Sequence, residues 1–383
     1  MSKNQTIDCQ RALFDIPDNI AYLNCAYMSP LMGSVVAAMN KGTQGKVHPW
    51  TYTPPDFVAP SEEFRRLSAR LINASPHDIA VIPSVSYGIQ IAANNLPLSK
   101  GGEILVLDEQ FPSNVYPWRE KAKQMGGSIR TVKRPTNGDW TSAVLDAINT
   151  ATQILALPAN HWADGGCLDL ETIGKAARAM GAALVLDLTQ SLGAMPFDVQ
   201  RVQPDYMVSA CYKWLMGPYT MGMVYIAPKW QNGTPLEQTW MGRKGAENFA
   251  SLVDYQDAYQ EGARRFDMGE KSNAGQVSGA SAAISQLLDW GVENISHTLG
   301  ARNAKLADRA RDLGLVLPED KYRSPHYLGL GFPKNIPNGL LDMCTAQNIF
   351  VSVRGNSVRV TPHLYNTDAD IERLFTVLES VRA

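Results

Sequence analysis

Residues 184–190 read LVLDLTQ, and residues 209–218 read SACYKWLMGP. The first stretch is an apolar strand that ends at Asp187, and the second is a tight turn after a further strand, carrying Lys213 26 residues beyond that acid. An amine and an acid in these positions are what an enzyme needs in order to hold pyridoxal phosphate. The lysine forms a Schiff base with the cofactor, and the acid supports the cofactor's role as an electron sink.

The composition is that of an ordinary globular enzyme. Hydrophobic residues make up 45% of the 383 residues and charged residues 19%, which is enough apolar surface for a core of two or three domains. The net charge of -2 provides no field that attracts nucleic acid or an anionic membrane. No run approaches the roughly 20 apolar residues of a membrane span, and the first residues lead into no signal-peptide stretch. We therefore expect a cytoplasmic protein without nucleic-acid or membrane partners.

The cysteines argue against disulfides and against a metal site. The five of them are widely scattered, with no Cys-x-x-Cys pair and no histidine at a ligand spacing. We expect reduced thiols and no bound metal. Their positions are Cys9, Cys25, Cys167, Cys211 and Cys344.

Strand and helix patterns alternate through the first two thirds of the chain. This alternation predicts an α/β fold with a mostly parallel central sheet covered on both faces. The expected strands are 103–107, 128–132, 153–157, 183–188, 205–210 and 221–227, and the expected helices are 62–73, 112–125, 139–149 and 170–180.

The alternation breaks between about residues 229 and 275, where turn-forming residues accumulate. A long helical pattern then runs from Ser278 to about Leu313, followed by short strands and a last helix over 368–381. This is the pattern of a smaller α+β domain. We expect residues 1–20 to form an arm associated with the small domain, residues 21–260 the large domain that binds the cofactor, and residues 261–383 the small one.

Nearly the whole chain, from about Tyr22 to Val381, resembles the class V aminotransferases, a family of fold type I pyridoxal phosphate enzymes. The family includes cysteine desulfurases, kynureninases and isopenicillin N epimerase-like proteins. The resemblance implies the fold type I architecture, pyridoxal 5'-phosphate as cofactor, an amino-acid substrate and a homodimer with shared active sites. It rests on Tyr22-Leu23-Asn24, Phe111-Pro112-Ser113-Asn114, Asp187-x-x-Gln190, Tyr212-Lys213, Arg264-Arg265-Phe266-Asp267-Met268-Gly269 and Arg359-Val360-Thr361-Pro362-His363.

The family pattern assigns the contacts to the cofactor ring. It implies that Asp187 pairs with the pyridine nitrogen, that Gln190 donates to the phenolic oxygen and that the ring of Phe111 stacks on the pyridine face. Burial beside the cofactor should depress the pKa of Lys213, so that part of the amine is neutral. Trp162 ends the strand before that of Asp187 and should face the cofactor, although a purely structural tryptophan is an equal alternative.

The phosphate needs amides and hydroxyls at the start of a helix. Ser86 and the amide of Val85 match the family's phosphate turn, although a serine there can also serve only as a helix cap. Tyr212 adds a phenolic donor, as in kynureninases. By the same resemblance a loop of the second subunit completes the site, and Ser272 and Asn273 are our candidates for it.

The substrate's carboxylate requires a guanidinium, and Arg359 matches the family's clamp. Arg354, five residues earlier, is ambiguous. For the rest of the substrate pocket we name His161 and Tyr27, either of which could donate a proton to a leaving group.

The departures from the family pattern bear on the reaction. Residues 351–357 contain no cysteine where desulfurases carry their nucleophile, and Phe111 stands where those enzymes have histidine, so persulfide formation is disfavoured. Transamination demands least beyond the cofactor set, because Lys213 alone can carry the proton. The alternatives are β- or γ-elimination, as in a C-S lyase or a kynureninase-like enzyme, and epimerisation. A non-catalytic cofactor-binding sensor is disfavoured because Arg359 is present and no basic helix-turn-helix extension is found.

Overall fold

The computed structural model of the chain describes residues 4–381, so the first three residues of the expected arm and the last two of the expected small domain lie outside the described residues. It contains one large sheet and two small ones. The strands in chain order are β1 (Ala21–Tyr22), β2 (Ile79–Ile82), β3 (Glu103–Leu107), β4 (Ser128–Val132), β5 (Thr152–Pro158), β6 (Ala183–Asp187), β7 (Tyr206–Ala210), β8 (Gly222–Ile226), β9 (Leu328–Gly331), β10 (Ile349–Phe350), β11 (Ser352–Arg354) and β12 (Ser357–Val360).

The large sheet has seven strands in the order β2-β8-β7-β6-β5-β3-β4. Strands β3 to β7 are parallel to one another, and β8 runs antiparallel to both β7 and β2. The predicted mostly parallel central sheet is therefore confirmed. The alternation of patterns did not reveal β2, whose four residues, Ile79–Ile82, are all buried.

Helices cover the sheet and build the rest of the molecule. One sequence expectation is wrong: the helical pattern from Ser278 to Leu313 is two helices, because Gly291 adopts a φ of +77° between them. The helices are α1 (Gly33–Gln44), α2 (Pro54–Leu71), α3 (Val85–Asn95), α4 (Tyr116–Met125), α5 (Trp140–Ala147), α6 (Leu170–Ala179), α7 (Val199–Val202), α8 (Ala274–Trp290), α9 (Val292–Asp312), α10 (Leu340–Ala346) and α11 (Asp368–Ser380).

The large sheet is apolar on both faces, as expected for parallel strands covered by helices. In β6, Leu184 and Leu186 enter the core on one face while Val185 enters the core on the other. Successive side chains of a strand point to opposite faces, so a continuous apolar run is what such a strand needs. The polar residue that ends the run, Asp187, is thereby placed at the carboxyl edge of the sheet.

The C-terminal part of the chain forms a separate apolar cluster around the antiparallel sheet β11-β12-β9, with α10 and α11 against it. Ala21 and Leu23 join this cluster, since β1 pairs in parallel with β10, whereas Phe14 belongs to the core of the large sheet. Helix α8 instead packs into the apolar core of the large sheet. This core therefore includes residues on both sides of residue 261, the expected start of the small domain. The domain limits expected from the sequence stay a prediction.

A buried ion cluster joins α2 and β2 to the segment before α8. Asp267 accepts hydrogen bonds from Arg65 (2.8 Å), Lys271 (2.6 Å) and the amide of Val81 (2.8 Å), and all three charged residues are at most 2% exposed. Burial alone raises the pKa of Asp267, but the charges of Arg65 and Lys271 outweigh it and the pKa lies below its usual value. Asp267 thus compensates the charge of Lys271 and, together with Glu62, whose Oε1 lies 3.1 Å from Nε of Arg65, that of Arg65.

Replacing Asp267 with asparagine should strongly destabilise the fold. The variant keeps the volume but leaves Lys271 without its salt-bridge partner and Arg65 with Glu62 alone, and breaking a buried pair in this way costs about 3–5 kcal/mol. Urea unfolding followed by circular dichroism measures the loss. Glu63→Gln on the same helix is the matched control, since its pair with Arg66 is half exposed and should contribute little. Equal stability of the two variants would contradict this account.

Candidate active site

A cavity of about 410 Å³ opens at the carboxyl edge of the large sheet. Its walls come from the segments that follow β2, β3, β5, β6 and β7, which is where α/β folds place their ligands. Nine of the residues that the sequence singled out line it. They are Val85, Ser86, Phe111, His161, Trp162, Asp187, Gln190, Tyr212 and Lys213.

Lys213 is held inside the cavity by the turn that follows β7. The amide of Met216 donates to the carbonyl of Lys213 (3.0 Å), and the side chain of Lys213 is only 6% exposed. Its Nζ lies 5.3 Å from the ring centre of Phe111. Burial lowers the pKa of Lys213 to about 8, opposed by Asp187 and assisted by Arg359 and Arg354. A substantial fraction of the amine is therefore neutral near physiological pH, as a nucleophilic lysine requires.

Asp187 is the buried acid of the cavity. Its Oδ1 accepts the amide of Thr189 (3.0 Å), which fixes the carboxylate at the end of β6. Burial raises the pKa of Asp187, while the hydrogen bonds from Thr189 and the charge of Lys213 oppose the rise. A cationic ring nitrogen in the cavity would relieve this desolvation.

The start of α3 faces the same cavity. Ser84 is the N-cap of the helix, and its hydroxyl accepts a hydrogen bond from the amide of Tyr87 (3.3 Å). The alternative that Ser86 serves only as a helix cap is therefore wrong, because the cap is Ser84. The Ser86 hydroxyl lies 3.0 Å from that of Ser84. As the first two helical residues, Val85 and Ser86 have amides without an intrahelical acceptor. Hydroxyls and amides of this kind form an anion site.

Two of the amide side chains that line the cavity differ in how they are held. Gln190 is fixed by Ala26, whose carbonyl accepts Nε2 (3.1 Å), and by the indole of Trp214, which donates to Oε1 (3.0 Å). One hydrogen of Nε2 remains for a ligand.

Asn160 is 1% exposed, and neither its Oδ1 nor its Nδ2 has a partner among residues 4–381. Such a buried amide calls for a bound polar group. Asn160 is not among the residues predicted for the site, because an asparagine after a strand carries no distinctive sequence pattern.

Two aromatic rings shape the cavity beside Lys213. Phe111 and Trp162 meet edge to face with 5.4 Å between ring centres. The indole of Trp162 donates to the carbonyl of Glu109 (2.7 Å), which anchors that ring. Tyr212 contributes its ring on the far side, 5.4 Å from Nζ of Lys213, and burial raises the pKa of its phenol to about 12. The phenol therefore stays protonated and can donate.

His161 does not fit the role of a proton donor that the sequence suggested. Its ring is fully buried and stacked on Trp140 with 5.2 Å between ring centres. Nε2 faces the carbonyl of Asp108 (3.0 Å), and Nδ1 lies 3.4 Å from the amide of Ala163. Both nitrogens are thus engaged by the backbone, and burial lowers the pKa of the imidazole. The geometry favours a role in shaping the cavity wall.

Arg359 lies behind Trp162, outside the cavity lining, and is 1% exposed. Its partners among the described residues are all neutral: Ser352 Oγ (2.7 Å from Nη2 and 2.9 Å from Nε), the hydroxyl of Tyr327 (3.3 Å) and the carbonyl of Trp162 (3.4 Å). A buried guanidinium without a carboxylate is costly unless an anion joins it.

The remaining candidates lie outside the cavity. Tyr27 is 54% exposed, and its phenol is close enough to act on the pKa of Tyr212 and of Arg354. Ser272 donates to the carbonyl of Phe57, and Asn273 caps α8. Within one chain neither residue reaches the cavity, so their contribution to a second subunit's site stays a prediction.

Two further properties concern the described residues as a whole. No helix within residues 4–381 combines the length and the apolar character that crossing a bilayer demands. In the same range, no three acidic, histidine or cysteine side chains come together in a way that could hold a metal ion.

Comparisons with known proteins agree with this arrangement. The family described as Aminotransferase class-V matches residues 21–374. An uncharacterized aminotransferase of Schizosaccharomyces pombe is 25% identical, over 99% of this chain and 96% of its own length. Isopenicillin N epimerase of Streptomyces clavuligerus is 23% identical, over 83% of each chain. The apo structure of a cysteine desulfurase from Thermococcus onnurineus NA1 superposes with a TM-score of 0.83 at 19% identity, over 98% of each chain.

Proposed function

Because the chain belongs to the class-V aminotransferase family and is thus a pyridoxal 5'-phosphate enzyme, we propose that it transfers the amino group of an α-amino acid to a keto acid, with Lys213 as the catalytic residue. One observation carries the proposal. A single cavity is lined by the buried amine of Lys213, whose pKa is lowered, by the buried carboxylate of Asp187 and by the N-terminus of α3.

The residues present fit the cofactor. The amides of Val85 and Ser86 would hold its phosphate, Asp187 its pyridine nitrogen and Lys213 its carbonyl carbon. The ring of Phe111 is placed to stack on it, and Asn160 offers a buried amide that lacks a partner among residues 4–381. When bound, pyridoxal phosphate stabilises the negative charge that develops at the substrate's α-carbon.

Lys213 has two tasks in this scheme. It would hold the carbonyl carbon of the cofactor and give way to the amino group of the substrate. Its Nζ, whose pKa burial lowers to about 8, would then be the base that takes the proton from the substrate's α-carbon and delivers it to the former carbonyl carbon of the cofactor. Phe111 and Trp162 limit the access of water to this proton transfer.

Arg359 is our candidate for the substrate's α-carboxylate. Ser352 accepts from two of its nitrogens, which orients the guanidinium, and the hydroxyl of Ser352 donates in turn to Asn24 (2.9 Å). A guanidinium held in this way is preorganised, and the N–H that these four contacts leave free would donate to the carboxylate.

The positions of the thiols favour transamination over persulfide formation. No cysteine is among the residues that line the cavity. Residues 352–360 form the tight hairpin β11-β12, without a thiol at its tip, and Cys344 is buried in α10 within the C-terminal cluster. Persulfide formation would require a nucleophilic sulfur that can reach the substrate.

A panel of amino acids, incubated with and without a keto-acid acceptor, tests the proposal. We expect a new amino acid to form only when the acceptor is present. Release of ammonia and a keto acid without an acceptor would contradict the proposal and indicate a lyase. Inversion at the α-carbon would indicate an epimerase, and release of sulfide from cysteine would indicate a desulfurase.

Replacing Arg359 with glutamine should raise KM about 10- to 100-fold and change kcat much less, because a charge-assisted hydrogen bond common to ground state and transition state is lost. Initial rates over a range of substrate concentrations measure both constants. Ser352→Ala is the matched control, since it keeps the charge and removes only the orienting hydroxyl, and its effect should be smaller. An unchanged KM in the Arg359 variant would move the carboxylate site elsewhere.

A further inference from the structure

The hairpin that carries Arg359 carries a second arginine on the same face. In the antiparallel pair β11-β12, Ser352 is opposite Arg359 and Arg354 is opposite Ser357. Opposite residues, and residues two apart in a strand, share one face of a sheet. Arg354 and Arg359 are therefore diagonal neighbours on one face of the hairpin. Their separation of five residues would place them on opposite faces of a single continuous strand, so the sequence does not reveal this proximity.

Both guanidiniums meet the same indole. The Cζ of Arg354 lies 5.3 Å, and that of Arg359 5.9 Å, from the ring centre of Trp162. The hydrogen bond of Arg354 is to the carbonyl of Val353 in its own strand (2.7 Å), so among residues 4–381 it has no carboxylate partner. Burial, and next the charge of Arg359, lower the pKa of Arg354. Two like charges are thus held together without an anion between them.

A groove of about 890 Å³ leads from the cavity to Arg354. Gln110 and Trp162 line both spaces, so the groove begins where the cavity ends. Its volume is more than sufficient for a substrate side chain.

The other charges of the groove compensate one another. Arg134 pairs with Glu109 (2.8 Å) and with Asp164, and Glu319 pairs with Lys321 (3.2 Å). The phenols of Tyr27 and Tyr327 also lie near Arg354. Arg354 is therefore the cation of the groove that has an acidic partner neither in the groove nor elsewhere in residues 4–381.

We propose that Arg354 binds a second anionic group, at the far end of the substrate's side chain, and that the substrate is an α-amino acid whose side chain carries a carboxylate or a similar anion. Arg359 holds the α-carboxylate and Arg354 the distal group, with the indole of Trp162 against both guanidiniums. The inference rests on the proposed function. It adds the substrate class.

Paired substrates test the inference. We expect the wild-type holoenzyme to turn over glutamate or aspartate with a kcat/KM about 10- to 100-fold above that of glutamine or asparagine, which have nearly the same shape. Arg354→Gln should remove this preference by lowering kcat/KM for the acids alone, and Arg354→Lys should restore part of it. Lys133→Gln removes the exposed charge of a lysine that does not line the groove and is the control that keeps the preference.

A binding measurement separates this inference from the proposed function. Calorimetry of the holoenzyme with glutarate, which has two carboxylates and no amino group, should give an affinity about 10-fold or more above that of butyrate, and Arg354→Gln should abolish the difference. Equal affinities, or an equal loss for all substrates in Arg354→Gln, would overturn the second anion site even if transamination is observed. A glutarate preference without transamination of any amino acid would support the second anion site and contradict the proposed reaction.

Discussion

Replacing Lys213 with alanine is expected to abolish the covalent attachment of the cofactor and, with it, turnover. The side chain is 6% exposed and has a pKa near 8, so among the residues that line the cavity it is the amine available for the bond. The loss of proton transfer alone should lower kcat by roughly 100- to 10,000-fold. The visible absorption of the bound cofactor should disappear after desalting, while the fold is retained.

Peptide mapping gives this prediction its control. After borohydride reduction of the wild-type protein, the cofactor should be found on Lys213, whereas Lys133→Ala, an exposed lysine, should be labelled as in the wild type. A Lys213→Ala protein that keeps the cofactor's absorption and its activity would refute the central assignment.

Replacing Asp187 with alanine should lower turnover by about 100- to 1,000-fold or more, while part of the cofactor binding is retained. The carboxylate is the acidic group that lines the cavity, and without it the pyridine nitrogen has no partner that stabilises its protonated form. Phosphate contacts at the start of α3 and the covalent bond of Lys213 should still hold the cofactor. Single-turnover kinetics on the loaded variant measure the effect apart from cofactor loss.

The same substitution has a second readout with a definite sign. The charge of Asp187 raises the pKa of Lys213, so its removal should lower that pKa further below about 8. The pH at which the apoprotein becomes reactive towards the cofactor should fall accordingly. Asp187→Asn, which keeps the shape, should show the same shift. Near wild-type turnover with an unchanged pH profile would remove Asp187 from the mechanism.

The candidate residues whose positions could be predicted from the sequence are those fixed by local structure. Asp187 and Lys213 follow apolar strands, and Val85 and Ser86 begin a helix, so their position at one sheet edge follows from strand order alone. The mostly parallel sheet was predictable because strands β3 to β8 are each marked by a strand pattern in the sequence, whereas the fold type I architecture was predicted from the resemblance to the class V aminotransferases.

What the sequence concealed depends on distant partners. His161 looks like a donor until Asp108 and Ala163 occupy both of its nitrogens. Asn160 gains meaning only because no side chain of residues 4–381 satisfies it. The pairing of Arg354 with Arg359 depends on the register of a hairpin, and a shift of one residue would place them on opposite faces.

The carbonyl of Trp162 accepts hydrogen bonds from the hydroxyl of Tyr327 and from Nη1 of Arg359. Trp162, in the segment that follows β5, therefore connects two parts of the chain with different proposed roles. Residues 83–213 supply the proposed cofactor contacts, and residues 352–359 supply the cations proposed for the substrate. If the proposed roles hold, substitutions in one short hairpin would change substrate choice and leave the proposed cofactor contacts untouched.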